Sequence, residues 1–181
     1  MSLLVSTSRV EPPSLRFEKL SSNLNSSSFD CTEADGSDPH GLQVFITDEA
    51  LKYQTERLGV TYLVFQDSAP VAFLTVSMTC LRIAELGHLE KVPEIKVPYP
   101  ALLLGRLAVE KNCRGKGIGM FLCQWVIGLA RELSTRVGCR YVALHTLPQN
   151  VGFYTRHPLS FVVSSLKKSD GKLLLYRRVV D

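Results

Sequence analysis

Little in this chain belongs to a membrane or to an oxidising compartment. No apolar run approaches the ~18 residues that a membrane-spanning helix requires. The first residues, MSLLVSTSRVEPPS, carry neither the basic segment nor the apolar stretch of a secretory leader. The five cysteines, Cys31, Cys80, Cys113, Cys123 and Cys139, are an odd set without a C-x-x-C pair. That spacing argues against structural zinc and against a disulfide framework, and four scattered histidines add no metal site. No internal repeat is present. The expectation is a cytoplasmic protein with reduced thiols and no metal. Charge of one sign is also scarce, because 21 basic and 17 acidic residues leave a net charge of only +4, a surplus that slightly favours an anionic partner such as a phosphate-bearing cofactor or RNA.

What is present is enough for one core. A chain of 181 residues is about one domain at ~150 residues each, and that size buries roughly 70% of its unfolded surface. Residues 1–13 read as an N-terminal tail and residues 14–181 as a single domain. SLRFEKL, from Ser14, alternates apolar and polar residues as a strand does, and SSNLNSSS breaks it. A helix is expected from Asp38, with Asp38 as its N-cap, Pro39 in its first turn, and Leu42, Phe45, Ile46, Ala50 and Tyr53 on one face.

VTYLVFQD and VAFLTVSMT, joined by SAP, read as a hairpin with Ala72, Leu74, Val76 and Met78 on one face. Residues 81–100 hold three prolines and form a long, partly irregular connection. ALLLGRLAV, residues 101–109, is apolar nearly throughout, as a central strand covered on both faces should be. Ile118, Phe121, Leu122, Trp125, Val126, Leu129 and Leu133 recur at helical spacing, which predicts a helix over about 117–137 stopped by Gly138. RYVALHTL is a further strand, QNVGFYTRH a short helix, and the end of the chain a hairpin turning at Asp170–Gly171. The order strand, helices, three strands, helix, strand, helix, two strands makes an α/β fold with a mixed, mostly antiparallel sheet.

Between the apolar strand and the long helix lies NCRGKGIG. A helix N-terminus carries about half a positive charge and unpaired N–H groups, and Gly115, Gly117 and Gly119 let an anion approach them. Arg114 and Lys116 add charge beside it, so a diphosphate is the natural occupant. A triphosphate loop, G-x-x-x-x-G-K-[ST], is disfavoured because Lys116 precedes a glycine rather than Ser or Thr. A dinucleotide fingerprint, G-x-G-x-x-G, fails because its third glycine would fall at Met120.

What remains is R-x-x-G-x-G at Arg114, Gly117 and Gly119. With its flanking strand and helix, this resembles the GNAT acyltransferase superfamily, in which such a loop binds the pyrophosphate of acetyl-CoA. The resemblance covers roughly residues 14–180. It implies a GNAT fold, with an α/β sheet of about six or seven strands splayed at its centre and about four helices. It implies that Leu107, Ala108 and Val109 pair with the pantetheine arm, and that the amides of Arg114, Gly115, Lys116, Gly117, Ile118 and Gly119 hold the pyrophosphate. NVGFYTRHPLSF resembles the family's N-x-x-x-F-Y-x-x-x-G-F, which puts Asn150 beside the pantetheine and makes Tyr154 the acid that protonates the departing thiolate. The stretch departs from the family in two extra residues, a missing glycine and Pro158. No general base is assigned: Glu110 reads as a solvated strand end, His145 as an interior strand residue, and His157 as peripheral unless its loop folds inward.

Two stretches resemble one branch of the family. VPYPALLLGRLAVEKNCRGKGIG and SSFDC are similar to segments of the toxin-like GNATs of the TacT and AtaT type, which acetylate the α-amino group of aminoacyl-tRNA. That implies acetyl-CoA and aminoacyl-tRNA as substrates, a ribbon-helix-helix antitoxin as a partner, and a homodimer. Arg156, Lys167, Lys168, Lys172, Arg177 and Arg178 are the candidates for RNA phosphates. Two other functions stay open: a GNAT enzyme for a small amine or a protein N-terminus, and a catalytically silent CoA-binding sensor.

Overall fold

The computed structural model describes residues 15–22, 28–87, 94, 97–167 and 171–179. The expected tail and Asp170 of the last turn lie outside the described residues. One seven-stranded sheet organises the chain, with strands β1 Leu15–Lys19, β2 Val60–Gln66, β3 Ala69–Leu81, β4 Tyr99–Val109, β5 Tyr141–Thr146, β6 Val162–Lys167 and β7 Leu173–Arg178 in the order β1-β2-β3-β4-β5-β7-β6. Every pairing is antiparallel except β4 with β5. The helices are α1 Leu42–Val44, α2 Ala50–Thr55, α3 Ile118–Arg136 and α4 Val151–Thr155. The fold is α/β, with the seven-stranded, mixed and mostly antiparallel sheet expected from the sequence.

Two irregularities in β4 position everything that follows. Its register against β3 slips between Thr75 and Val76, which pair with Arg106 and Leu104, so Gly105 is the extra residue of a β-bulge. Its pairing with β5 covers only Ala101–Leu104 against Tyr141–Leu144. Beyond the bulge, Leu107, Ala108 and Val109 still pair with Leu74, Phe73 and Ala72 of β3, but their other edge faces no strand. The sheet therefore splays between β4 and β5, and a row of backbone N–H and C=O groups faces the gap.

The main core lies between the sheet and α3, where Leu122 and Val126 are fully buried beside Val64, Leu74, Val142 and Leu175. Leu122→Ala at such a site costs about 2–5 kcal/mol. Cys123, Ile127 and Ala130 complete the buried face of α3. Phe121, expected in the apolar stripe of this helix, is 45% exposed, since its position belongs to the flank of the helix and its ring centroid lies 6.3 Å from that of Phe17. Trp125 stacks on Phe17 at 4.6 Å, which ties β1 to α3 and contributes about 0.5–1.5 kcal/mol beyond burial.

Other local expectations are corrected by backbone geometry. The first helix begins at Leu42, not Asp38, after a left-handed Gly41. Asp38 still caps it from outside, its carboxylate accepting from the N–H groups of Leu42, Gln43 and Val44 at 2.8, 3.0 and 3.1 Å. A π-helical turn, Phe45–Glu49, joins α1 to α2 and rotates the following residues. Tyr53 is consequently half exposed, and Gln54 turns in to bond the Leu20 carbonyl and the Thr61 N–H. The hairpin turn is the pair Asp67–Ser68, so Ala69 and Pro70 belong to β3. Met78, expected on one face with Ala72, Leu74 and Val76, is exposed while those three are buried.

Candidate functional site

At the end of β4 the chain turns through a 3-10 turn, Lys111–Cys113, and the glycine loop into α3. Gly115 and Gly117 have φ of +77° and +83°, a left-handed backbone that any side chain would strain, and a Cβ at either would point into open space. Gly119 differs: a Cβ there would make only ordinary contact, 3.5 Å from the Phe153 ring and 3.8 Å from Val109 Cγ2, where α3 packs near α4 and the end of β4. Gly117 is the N-cap of α3 and offers no side-chain cap, and the first turn holds no acidic residue. The opening N–H groups of a 19-residue helix are thus left for something outside the helix.

They face a cavity of about 560 Å³ in the splay, within the ordinary range for a small-molecule site. Leu107, Ala108 and Val109 line it from β4; Arg114, Gly115, Gly117, Ile118 and Gly119 from the loop and α3; Asn150 and Tyr154 from α4 and the turn before it. Lys116 is the exception among the residues expected there. It is exposed and is not among the residues that line the cavity.

A wall the sequence reading did not assign comes from the segment before α1, through Cys31, Glu33, Asp38 and His40. Gln43 fastens that segment, donating to the Phe29 carbonyl at 3.0 Å and accepting from the Cys31 N–H at 2.9 Å. Arg114 fastens it again, donating to Glu33 Oε2 at 2.9 Å and to the carbonyls of Cys31 and Thr32 at 2.7 and 3.1 Å. Lys111 pairs with Asp30 at 2.5 Å, and together with Thr32 holds the Asp30 carboxyl well below its usual range. The only prior signal was the SSFDC resemblance, since charge pairs 81 residues apart leave no mark on local periodicity.

Tyr154 projects from α4 between Phe153 and Phe161, edge-on to both rings at 4.9 and 6.1 Å. Burial pushes its phenol well above the usual value near 10, with a smaller contribution from Cys123. The group therefore keeps its proton throughout the neutral range. No hydrogen bond engages its hydroxyl among the described residues. Cys31 and Cys113 also line the cavity, but burial pushes the Cys31 thiol up to about 11 and raises Cys113 as well, so neither supplies a thiolate for an acyl-enzyme.

A second cavity of about 790 Å³ lies on the other side of the splay. Its lining is more polar, with Thr75, Ser77, Arg106, His145, Thr146 and Lys172 among it. The two cavities share Leu107, Asn150 and Tyr154 on one side and Pro39, His40 and Leu42 on the other, so they meet at Tyr154. His145, expected in the interior, is exposed on β5 and belongs to this second cavity. His157 is exposed and lines neither. Glu110 caps the 3-10 turn through Asn112, accepting from its backbone and side-chain N–H groups at 2.8 and 2.9 Å. Arg177, one of the candidates for RNA phosphates, is half-buried and donates to the carbonyls of Pro158 and Leu159, so it holds the loop after α4 instead. The side chains of Lys167 and Lys168 lie outside what the structure describes.

Among the described residues no helix is long and apolar enough to cross a membrane, and no group of three or more His, Cys, Asp or Glu residues could hold a metal ion. The sequence matches the acetyltransferase (GNAT) family over residues 24–157. No curated protein matches it. Several solved structures share the fold. AtaT complexed with acetyl-methionyl-tRNAfMet is 21% identical with a TM-score of 0.73, covering 88% of this chain and 93% of that one. A tyrosine-to-phenylalanine variant of KacT is 22% identical with a TM-score of 0.75, covering 91% and 95%. A variant of the AtaT toxin bound to the C-terminus of the antitoxin AtaR and acetyl-CoA is 20% identical with a TM-score of 0.68, covering 91% and 93%.

Proposed function

Because this chain belongs to the acetyltransferase (GNAT) family, we propose that it transfers the acetyl group of acetyl-CoA to the α-amino group of aminoacyl-tRNA. The observation that carries this reading is the meeting of two unlike cavities at Tyr154. The first suits the donor. Its uncapped helix terminus and glycine loop present N–H groups to a diphosphate. The free edge of Leu107–Val109 offers the backbone ladder that an amide-bearing pantetheine arm can extend, and Asn150 stands beside that path. The thioester then lies at the junction.

The second cavity suits the acceptor. It is lined by hydroxyls, amides and the cations Arg106 and Lys172, a set matched to a ribose–phosphate chain ending in an aminoacyl ester. Arg106 is steadied by stacking over Phe45 at 4.9 Å. At the junction, the amine attacks the thioester carbonyl and Tyr154 gives its proton to the departing sulfur. Solved neighbours with a tRNA product and with acetyl-CoA support the reading, as does the branch motif LLGRLAV. The same reading places the protein in the cytoplasm, as one acetyltransferase domain from residue 14 onward, with a ribbon-helix-helix antitoxin as its partner.

The test follows labelled acetyl from acetyl-CoA into charged tRNA, deacylated tRNA, free amino acids and short peptides. Label appearing only in charged tRNA, and less of it as salt rises, is the expected result. Label in a small amine or peptide, independent of salt, would replace the tRNA reading with the small-acceptor one. Bound acetyl-CoA with no transfer to any acceptor would leave a sensor.

A further inference from the structure

Transfer to an amine releases a proton from nitrogen, and the site described so far contains an acid but nothing to receive that proton. The groups facing the two cavities can be taken in turn. Asp38 spends its carboxylate on three helix amides, and Glu33 is paired with Arg114. Glu110 caps the 3-10 turn and lines neither cavity. His145 belongs to the acceptor cavity alone, and His157 to neither. His40 differs from all of these. It lines both cavities, on the side of their junction across from Tyr154, and it is exposed there. Among the described residues no hydrogen bond or ion pair holds its ring. Pro39 before it and the left-handed Gly41 after it fix the backbone, and the Asp38 carboxylate pins that turn to α1.

We propose that His40 is the general base of the reaction, receiving the acceptor's amine proton at the junction of the two cavities. This rests on the reading of the junction as the place of acetyl transfer. The balance is complete within the site. The nitrogen lone pair forms the C–N bond, the C–S bond breaks with its electron pair going to sulfur, and the Tyr154 proton goes to the thiolate. The ammonium proton passes to the His40 imidazole, and from there through water back to the phenolate. Acetyl-CoA and amine become amide and CoA, and both side chains regain their starting states. Histidine suits the role because one ring nitrogen of a neutral imidazole accepts a proton while the other can pass one on.

The experiment compares wild type, His40→Ala and His40→Gln with whichever acceptor the wild type uses in the assay above. Acetyl-CoA affinity is measured alongside by calorimetry, and exogenous imidazole is titrated into the His40→Ala reactions. The expected result is a kcat lower by about 100-fold or more in both variants, acetyl-CoA affinity unchanged, and a rate in His40→Ala that climbs with imidazole concentration. Wild-type rates in the variants overturn the proposal. So does a loss that imidazole fails to restore, because that is how a merely structural residue behaves. A wild type that transfers to no amine overturns the underlying reading, an outcome separate from these because it appears before any variant is made.

Discussion

The two cavities are built from different parts of the amino acid. The donor cavity is shaped by backbone: a bulged strand edge, left-handed glycines and the bare N–H groups of α3, with Arg114 already engaged by Glu33. The acceptor cavity is shaped by side chains, Thr75, Ser77, Arg106, His145 and Lys172 among them. A site made of backbone recognises one invariant molecule and is specified by the few residues that permit its conformation. A site made of side chains can be refitted to a new acceptor without disturbing the fold. The difference teaches why donor and family follow from a short glycine motif, while the only mark of the acceptor in the sequence is the resemblance of LLGRLAV and its neighbours to one branch.

Four changes sharpen or break that contrast. The largest effect belongs to the shared wall. Tyr154→Phe should lower kcat by about 10²- to 10⁴-fold while leaving acetyl-CoA affinity unchanged in calorimetry. The raised phenol pKa has a sign that can be checked in the wild type, because Tyr154 stays protonated and its ionisation imposes no alkaline fall in rate below pH 10. On the donor side, Gly117→Glu sets a side chain on a φ of +83° and a carboxylate where the diphosphate should lie. Strain of about 1–2 kcal/mol plus charge repulsion predicts acetyl-CoA binding weaker by roughly tenfold to a hundredfold.

Glu33→Gln acts in the opposite direction. It removes the charged partner of Arg114 and leaves the guanidinium held only by the Cys31 and Thr32 carbonyls, and an exposed pair of about 0.2–1 kcal/mol predicts acetyl-CoA binding tighter by roughly 1.5- to 5-fold at low salt. The gain should fade as ionic strength rises. Lys172→Ala, confined to the acceptor cavity, should leave acetyl-CoA binding alone and reduce the salt slope of tRNA binding by about one. A change in acetyl-CoA affinity there would break the division between the cavities.

Legibility in the sequence follows the same division. Ile118–Arg136 was readable because its apolar residues recur at helical spacing, and β4 because its run is apolar nearly throughout, as the centre of a sheet requires. The glycine loop was readable because positive φ leaves few residue choices. The π turn was not, since Phe45–Glu49 carries an ordinary helical pattern, and it moved Tyr53 outward and Gln54 inward. The wall formed by Cys31, Glu33 and His40 was not readable either, because its place depends on pairs such as Arg114–Glu33 that only the closed fold creates. Arg177 shows the converse: a cation in a basic cluster reads as surface, and the carbonyls of Pro158 and Leu159 that engage it are set by the path of the loop after α4.

The most direct test of two cavities forming one active site is the binding of a bisubstrate compound, in which the sulfur of CoA is joined through a –CH2–C(=O)– bridge to the α-nitrogen of an amino acid ester. Its affinity is measured by calorimetry against CoA alone, in wild type and in Ser77→Trp, a change that fills the acceptor cavity. The account predicts that the compound binds the wild type at least tenfold more tightly than CoA, and that Ser77→Trp removes this advantage while CoA binds as before. Equal affinity of the compound and CoA in both proteins would contradict it.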